Sequence, residues 1–235
     1  MPIKPVITEE SLLGFKSSTK ENEKVIGILK NQLSNYLFSP ILDVGAGIGD
    51  IALEGFPDKE AILVDRLNFA EYSHSKKHKR ILADFFNIYK QHENLSGTVI
   101  YSHVLQYLDN DYDELVKATE LIAPKTIFTV TNCNDGEMKK IVDWSIDNIP
   151  DANPEIDLAT FPVCCGYKLV KKIPFSVEAT ESNFHDLAVL VAYLIDSSKE
   201  KYLQRIENFL KEVLRTPTFS INQEIKVYER VKGDE

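Results

Sequence analysis

Three cysteines in 235 residues are too few for a disulfide framework, and Cys133, Cys164 and Cys165 lack the paired spacing of a zinc site. The adjacent pair is poorly placed to bridge itself, so a reducing compartment suits the chain, no metal is expected, and small core packing is the default role of all three. No run approaches the roughly eighteen apolar residues that a membrane span requires, and Met1 to Ser11 has no basic start followed by an apolar core. These absences predict a soluble, unsecreted, cytoplasmic protein that makes no use of a membrane. Positive charge is also short: 27 Lys and Arg stand against 36 Asp and Glu, a net charge of −9. That is the wrong sign for affinity built on neutralising phosphates, so nucleic acid is a disfavoured partner. The local exception is His74 to Arg80 (HSKKHKR), with six potential cations in seven residues. It reads either as a solvated edge between the second and third strands or as a patch for an acidic acceptor.

What is present is a globular pattern. Apolar residues make up 43% of the chain, enough for one large α/β domain. The most informative segment is Ile41 to Asp50 (ILDVGAGIGD), an apolar strand ending at Asp43 and followed by Gly45, Gly47 and Gly49. Such a strand, turn and helix order serves either a dinucleotide or S-adenosylmethionine. The dinucleotide pattern started at Gly45 needs a small residue at position 50, where Asp50 stands. Asp43 would also repel a pyrophosphate but suits a ligand carrying an ammonium and a sulfonium.

With these residues the chain resembles the class I S-adenosylmethionine-dependent methyltransferases, whose first motif is an acid followed by alternating glycines. The run Ala61 to Val64 ends in Asp65, twenty residues past Gly45, where a carboxylate can accept ribose hydroxyls. Ile81 to Asn87 (ILADFFN) offers Asp84 and Phe85, which look like the family's adenine-binding pair; Asp84 alone also reads as a turn former or helix cap. Thr98 to Ser102 is followed by HVLQYL, similar to the post-strand segment of the small-molecule branch. The resemblance implies cofactor contacts from Asp43, Gly45, Ala46, Gly47, Gly49, Asp65, Arg66, Asp84, Phe85, Ser102 and His103. His103, just beyond the fourth strand with a pKa near neutrality, is the candidate catalytic base; acceptor contact and a structural role stay open beside it. Tyr107, Phe161, Phe184 and His185 are the candidates for the acceptor pocket.

The resemblance further implies a Rossmann-like, doubly wound, seven-stranded and mostly parallel sheet in a single domain over 1–235. The helical patterns of the chain add an N-terminal helical cap over 1–38 before a cofactor-binding core over 39–180 and, departing from the short hairpin usual in the family, a helical insertion over 181–218 before a last strand over 219–235. Ser18 and Glu21 read as a capping box for a helix lined by Ile26, Leu29, Leu33 and Tyr36, with Phe15, Lys16 and Ser18 as lid candidates. Lys168 to Ala179 and Phe219 to Val231 read as strands, separated by two amphipathic helices lined by Leu187, Leu190, Val191 and Leu194, then by Tyr202, Ile206, Phe209, Leu210 and Val213. No Asn or Asp precedes Pro-Pro-Tyr, no Pro-Cys nucleophile occurs, and the Lys-Asp-Lys-Glu set of ribose methylation is missing. The expected function is therefore methyl transfer from S-adenosylmethionine to a small-molecule or peptide-side-chain acceptor, leaving S-adenosylhomocysteine, by a monomer or homodimer. A non-catalytic S-adenosylmethionine-binding regulator, an RNA methyltransferase and an NAD-dependent reductase are the alternatives.

Overall fold

The computed structural model describes residues 9–68, 76–108, 112–133, 135–150, 152, 161–195 and 200–231. His74 and Ser75 of the basic run, and residues 151 and 153–160, lie outside the described residues. Seven strands form one sheet: β1 (Ile41–Val44), β2 (Ala61–Asp65), β3 (His78–Leu82), β4 (Thr98–Ser102), β5 (Thr126–Asn132), β6 (Tyr167–Thr180) and β7 (Thr218–Arg230). Their order is β3-β2-β1-β4-β5-β7-β6. The first five pair in parallel, Val44 standing opposite both Val64 of β2 and Tyr101 of β4. β7 runs the other way. Its Arg230 end bonds Lys125 and its Asn222 bonds Cys133, while the bonds Glu181 to Pro217 and Val231 to Gly166 set β6 antiparallel to it. The expected Rossmann-like, mostly parallel sheet is therefore present, with an antiparallel pair at one edge.

The chain divides into two compact units: Met1–Glu21, Asn132–Glu155 and Phe175–Gln223 in one, Asn22–Thr131, Ile156–Pro174 and Glu224–Glu235 in the other. The second, here the sheet unit, holds all of β1 to β4. Both faces of β1, β2 and β4 are covered, so they read as apolar runs rather than as alternation, while β3 at the sheet edge buries only His78. All four residues of β1 are buried, Asp43 among them. Helix α6 (Tyr112–Ile122) buries Leu115, Ala118, Thr119 and Ile122, the spacing of one helical face. Leu115, Ala118 and Ile122 join Leu42, Val44, Val99, Tyr101 and Ile127 in one core, each large side chain contributing about 1.5–3 kcal/mol.

The other unit, here the helical unit, carries α1 (Glu9–Thr19), α7 (Gly136–Asn148), α8 (Phe184–Leu194) and α9 (Leu203–Val213). The two helices expected between the last strands are α8 and α9, and most of their stripe residues face the core: Leu187, Leu190, Val191, Ile206 and Leu210 are buried with Phe219 and Ile221 of β7, Leu194, Tyr202 and Phe209 pack against them half-buried, and Val213 is exposed. Trp144 of α7 stacks on Phe209 of α9 with ring centroids 4.2 Å apart.

Two expectations are corrected. Ser18 and Glu21 do not form a capping box: Ser18 lies in the last turn of α1, where its hydroxyl donates to the Gly14 carbonyl at 2.8 Å and reaches Glu181. Lys20, at φ +50°, breaks the chain between α1 and α2 (Glu21–Gln32), and Thr19 Oγ1 accepts the Glu21 N–H instead. Cys164 is exposed, so small core packing does not describe it, whereas the half-buried Cys165 packs against the sheet core as expected.

Two glycines give opposite outcomes. A Cβ on Gly97 would lie 1.8 Å from the Pro40 carbonyl oxygen, whereas one on Gly27, inside α2, meets nothing within 4 Å. In urea titrations Gly97→Ala is expected to lose at least about 2 kcal/mol, and Gly27→Ala to gain about 0.5–1 kcal/mol by removing backbone freedom.

Candidate functional site

Gly45 follows β1 at φ +70°, a conformation open to glycine. Space enforces the same choice, because a Cβ there would stand 2.6 Å from Val104 Cγ2. The segment after β4 thus lies directly on the turn after β1. Four amides of the turn are already used. Gly45 and Ala46 donate to the Val64 carbonyl at 2.8 and 3.1 Å, and Gly49 donates to Ala46 at 2.9 Å. Gly47 donates to Asp65 Oδ2 at 2.8 Å. A phosphate-binding turn works by presenting free N–H groups; this one directs them inward.

Helix α3 (Asp50–Gly55) starts at the end of the turn, with Gly49 as its N-cap at φ +84°. Asn22 of α2 donates to Asp50 Oδ2 at 2.5 Å, so the start of α2 is pinned to the start of α3. The acid that disagreed with a dinucleotide fingerprint has a partner 28 residues back in the chain.

Asp65 ends β2 and is half-buried. Its Oδ1 accepts the Leu67 N–H at 2.8 Å while Oδ2 holds Gly47. Arg80 braces the same loop by donating to the Leu67 carbonyl at 2.8 Å. Burial raises the Asp65 pKa above its ordinary value, against the Leu67 and Gly47 N–H groups and the Arg80 and Arg66 guanidiniums, which pull it down. With the folded-state pKa above the unfolded one, the increment this group gives to stability is present at low pH and lost as pH rises through the raised value. Ionised Asp65 therefore strains the fold, a pattern that functional carboxylates share.

Asp84 follows β3 and accepts the Phe86 N–H at 2.9 Å as the N-cap of α4 (Phe85–Ile88), exposed to solvent. Phe85 is only 4% exposed and packs edge-on against Tyr101, so its ring belongs to the core. Asp43, Asp65 and Asp84 thus stand at or just past the carboxyl ends of three neighbouring strands, a row spanning two interstrand steps of about 4.8 Å each.

On the other side of β1, Ser102 ends β4 half-buried, and His103 follows at φ +49°. A histidine in the left-handed region is strained by about 1–3 kcal/mol. Its N–H donates to the Val130 carbonyl of β5 at 3.0 Å, and its Nε2 is enclosed. Tyr107, in α5 (Leu105–Leu108), lies with its ring 5.8 Å from the Arg66 guanidinium carbon, which brings two of the sequence-selected residues together. Phe161 is 3% exposed, with its ring 5.6 Å from Tyr101 in the core. Phe184 and His185 belong to the helical unit; Phe184 packs into its core, and the exposed His185 pairs with Glu207 at 3.2 Å. Val104, Asn22 and Leu67 are contributors that the sequence does not single out, and Arg80 of the basic run braces a loop, a role the sequence does not suggest. All act through partners distant in the chain or through their backbone. Among the described residues no group of three or more His, Cys, Asp or Glu could hold a metal ion, and no helix is long and apolar enough to cross a membrane.

No protein-family model matches the sequence, and no curated protein matches it. Solved structures do match. A candidate type II methyltransferase from Anaeromyxobacter dehalogenans is 16% identical over 88% of this chain and 95% of its own, with a TM-score of 0.54. The MccD protein is 12% identical over 91% and 100%, with a TM-score of 0.53. A candidate sarcosine dimethylglycine methyltransferase from Galdieria sulphuraria is 13% identical over 90% and 85%, with a TM-score of 0.52. At these identities the likeness is one of architecture: the chain has the class I S-adenosylmethionine-dependent methyltransferase fold.

Proposed function

We propose that the protein is an S-adenosylmethionine-dependent methyltransferase acting on a small-molecule or peptide-side-chain acceptor. The observation that carries this reading is the use of the turn amides within the protein beside a row of strand-end carboxylates, of which Asp43 is buried, Asp65 half-buried and Asp84 exposed. The Gly45, Ala46, Gly47 and Gly49 N–H groups go to Val64, Asp65 and Ala46, while Asp43, Asp65 and Asp84 stand along the strand ends. Such an edge attracts a cation and disfavours a pyrophosphate.

The chain's residues fit the cofactor. A carboxylate offers about four lone-pair sites, and Asp65 uses two of them on Leu67 and Gly47, so it retains acceptors for a pair of ribose hydroxyls. Asp84 would take the adenine amine, and Asp43 with the turn would take the amino-acid end. When bound, S-adenosylmethionine supplies a methyl group on a positively charged sulfonium. The protein's task is then to align the acceptor and exclude water. His103 and Tyr107 are the groups we assign to the acceptor side. The strained backbone of His103 fixes its ring at the end of β4, where it serves as an acceptor contact or as a base for an acceptor that carries a proton.

Equilibrium dialysis is expected to retain S-adenosylmethionine and S-adenosylhomocysteine but not NADH; retention of NADH alone would overturn the reading. In titration calorimetry Asp65→Ala should weaken S-adenosylhomocysteine binding by about 1.5–3 kcal/mol, and an unchanged Kd would remove Asp65 from the site. Wild-type affinity should also fall as pH drops toward the raised Asp65 pKa, because a protonated carboxyl accepts less strongly, and this dependence should flatten in Asp65→Ala. Gly45→Ala places a methyl against Val104 and should lose binding while the chain stays folded at room temperature; near wild-type affinity would mean the turn does not hold the ligand.

A further inference from the structure

Cys164 and Cys165 lie at the end of the 3₁₀ turn Val163–Cys165, with their Sγ atoms 3.7 Å apart. The Tyr112 hydroxyl of α6 stands 3.3 Å from Cys164 Sγ. Neighbouring Cα atoms are about 3.8 Å apart, short of the about 4.4–6.8 Å that a disulfide usually spans, so these sulfurs are badly placed to bond each other. They are well placed to share a third atom. Two bonds of about 2.3 Å reach further than this separation, so one bridging atom can meet both sulfurs. An ion of the zinc type needs further ligands, and among the described residues no group of three or more His, Cys, Asp or Glu could supply them.

We propose that Cys164 and Cys165 form a dithiol site for a monosubstituted trivalent arsenical, a centre that requires only two sulfurs. The protonation state of the pair agrees with this choice. Burial, with the neighbouring Cys164 and Glu120, pushes the Cys165 thiol up to about 12, so it keeps its proton near neutrality. A divalent cation has to expel that proton to gain a thiolate. An arsine oxide carries its own acceptor for it: the arsenic–oxygen bond breaks, two arsenic–sulfur bonds form, both S–H protons leave with the oxygen as water, and arsenic stays trivalent. Exposed Cys164 is the entry point, and the half-buried Cys165 closes the ring.

The test is independent of methyl transfer. The full chain is incubated with phenylarsine oxide in excess monothiol, and its intact mass is measured. One phenylarsenic group per chain in place of two hydrogens is expected, released by a 1,2-dithiol. Cys164→Ser and Cys165→Ser should each weaken retention by about a hundredfold or more, the gain expected of a second linked contact, while Cys133→Ser retains the adduct. Circular dichroism checks each fold, and exposed Cys164 carries the test even if Cys165→Ser unfolds. An adduct that does not survive monothiol, that persists in Cys164→Ser, or that is lost in Cys133→Ser would overturn the proposal.

Discussion

The site depends on the carboxylate of Asp65. One of its oxygens holds the Gly47 N–H of the turn after β1, the other holds the Leu67 N–H of the loop after β2, and Arg80 fixes that loop from behind. Two loops from neighbouring strands are thereby given one arrangement by a single side chain. The carboxyl accepts both bonds in a partly dehydrated place, where burial opposes its charge and raises its pKa while the two N–H groups pull it back down.

That constraint sets the character of the whole carboxyl edge. A glycine turn with free amides is an anion site; once Val64 and Asp65 take those amides, the remaining polarity near the turn is that of acids. Asp84, Asp65 and Asp43 follow one another along β3, β2 and β1, and the strained His103 and the half-buried Ser102 continue the line on β4. Val104 closes on Gly45 from the same side, so the segment that we assign to the acceptor cannot shift without disturbing the turn. Fixed geometry of this kind suits a reaction in which the protein mainly aligns its reactants.

Much of this was legible in the sequence because it is local. A strand that must turn at once through φ > 0 leaves alternating glycines, a strand end leaves an acid after an apolar run, and helices α8 and α9 leave stripes at helical spacing. The sheet class follows from the alternation of elements, and the two long last strands were visible as runs separated by those helices. What the sequence hid is long-range. Ser18 looks like a cap until Glu181, 163 residues away, takes its hydroxyl and Lys20 turns left-handed. An aromatic such as Phe85 or Phe161 reads equally as a ligand face or as core until Tyr101 is seen against it. The pairs Asn22 with Asp50 and Gly45 with Val104 join segments with no common pattern, and the exposure of Cys164 depends on how the turn before β6 is laid down.

The most direct measurement is a crystal structure of the protein grown with S-adenosylhomocysteine. The account predicts the ribose hydroxyls on Asp65 with its bond to Gly47 intact, the adenine toward Asp84 and the amino-acid end over Gly45. A ligand seated away from this edge, or an Asp65 turned from the ribose, would contradict it.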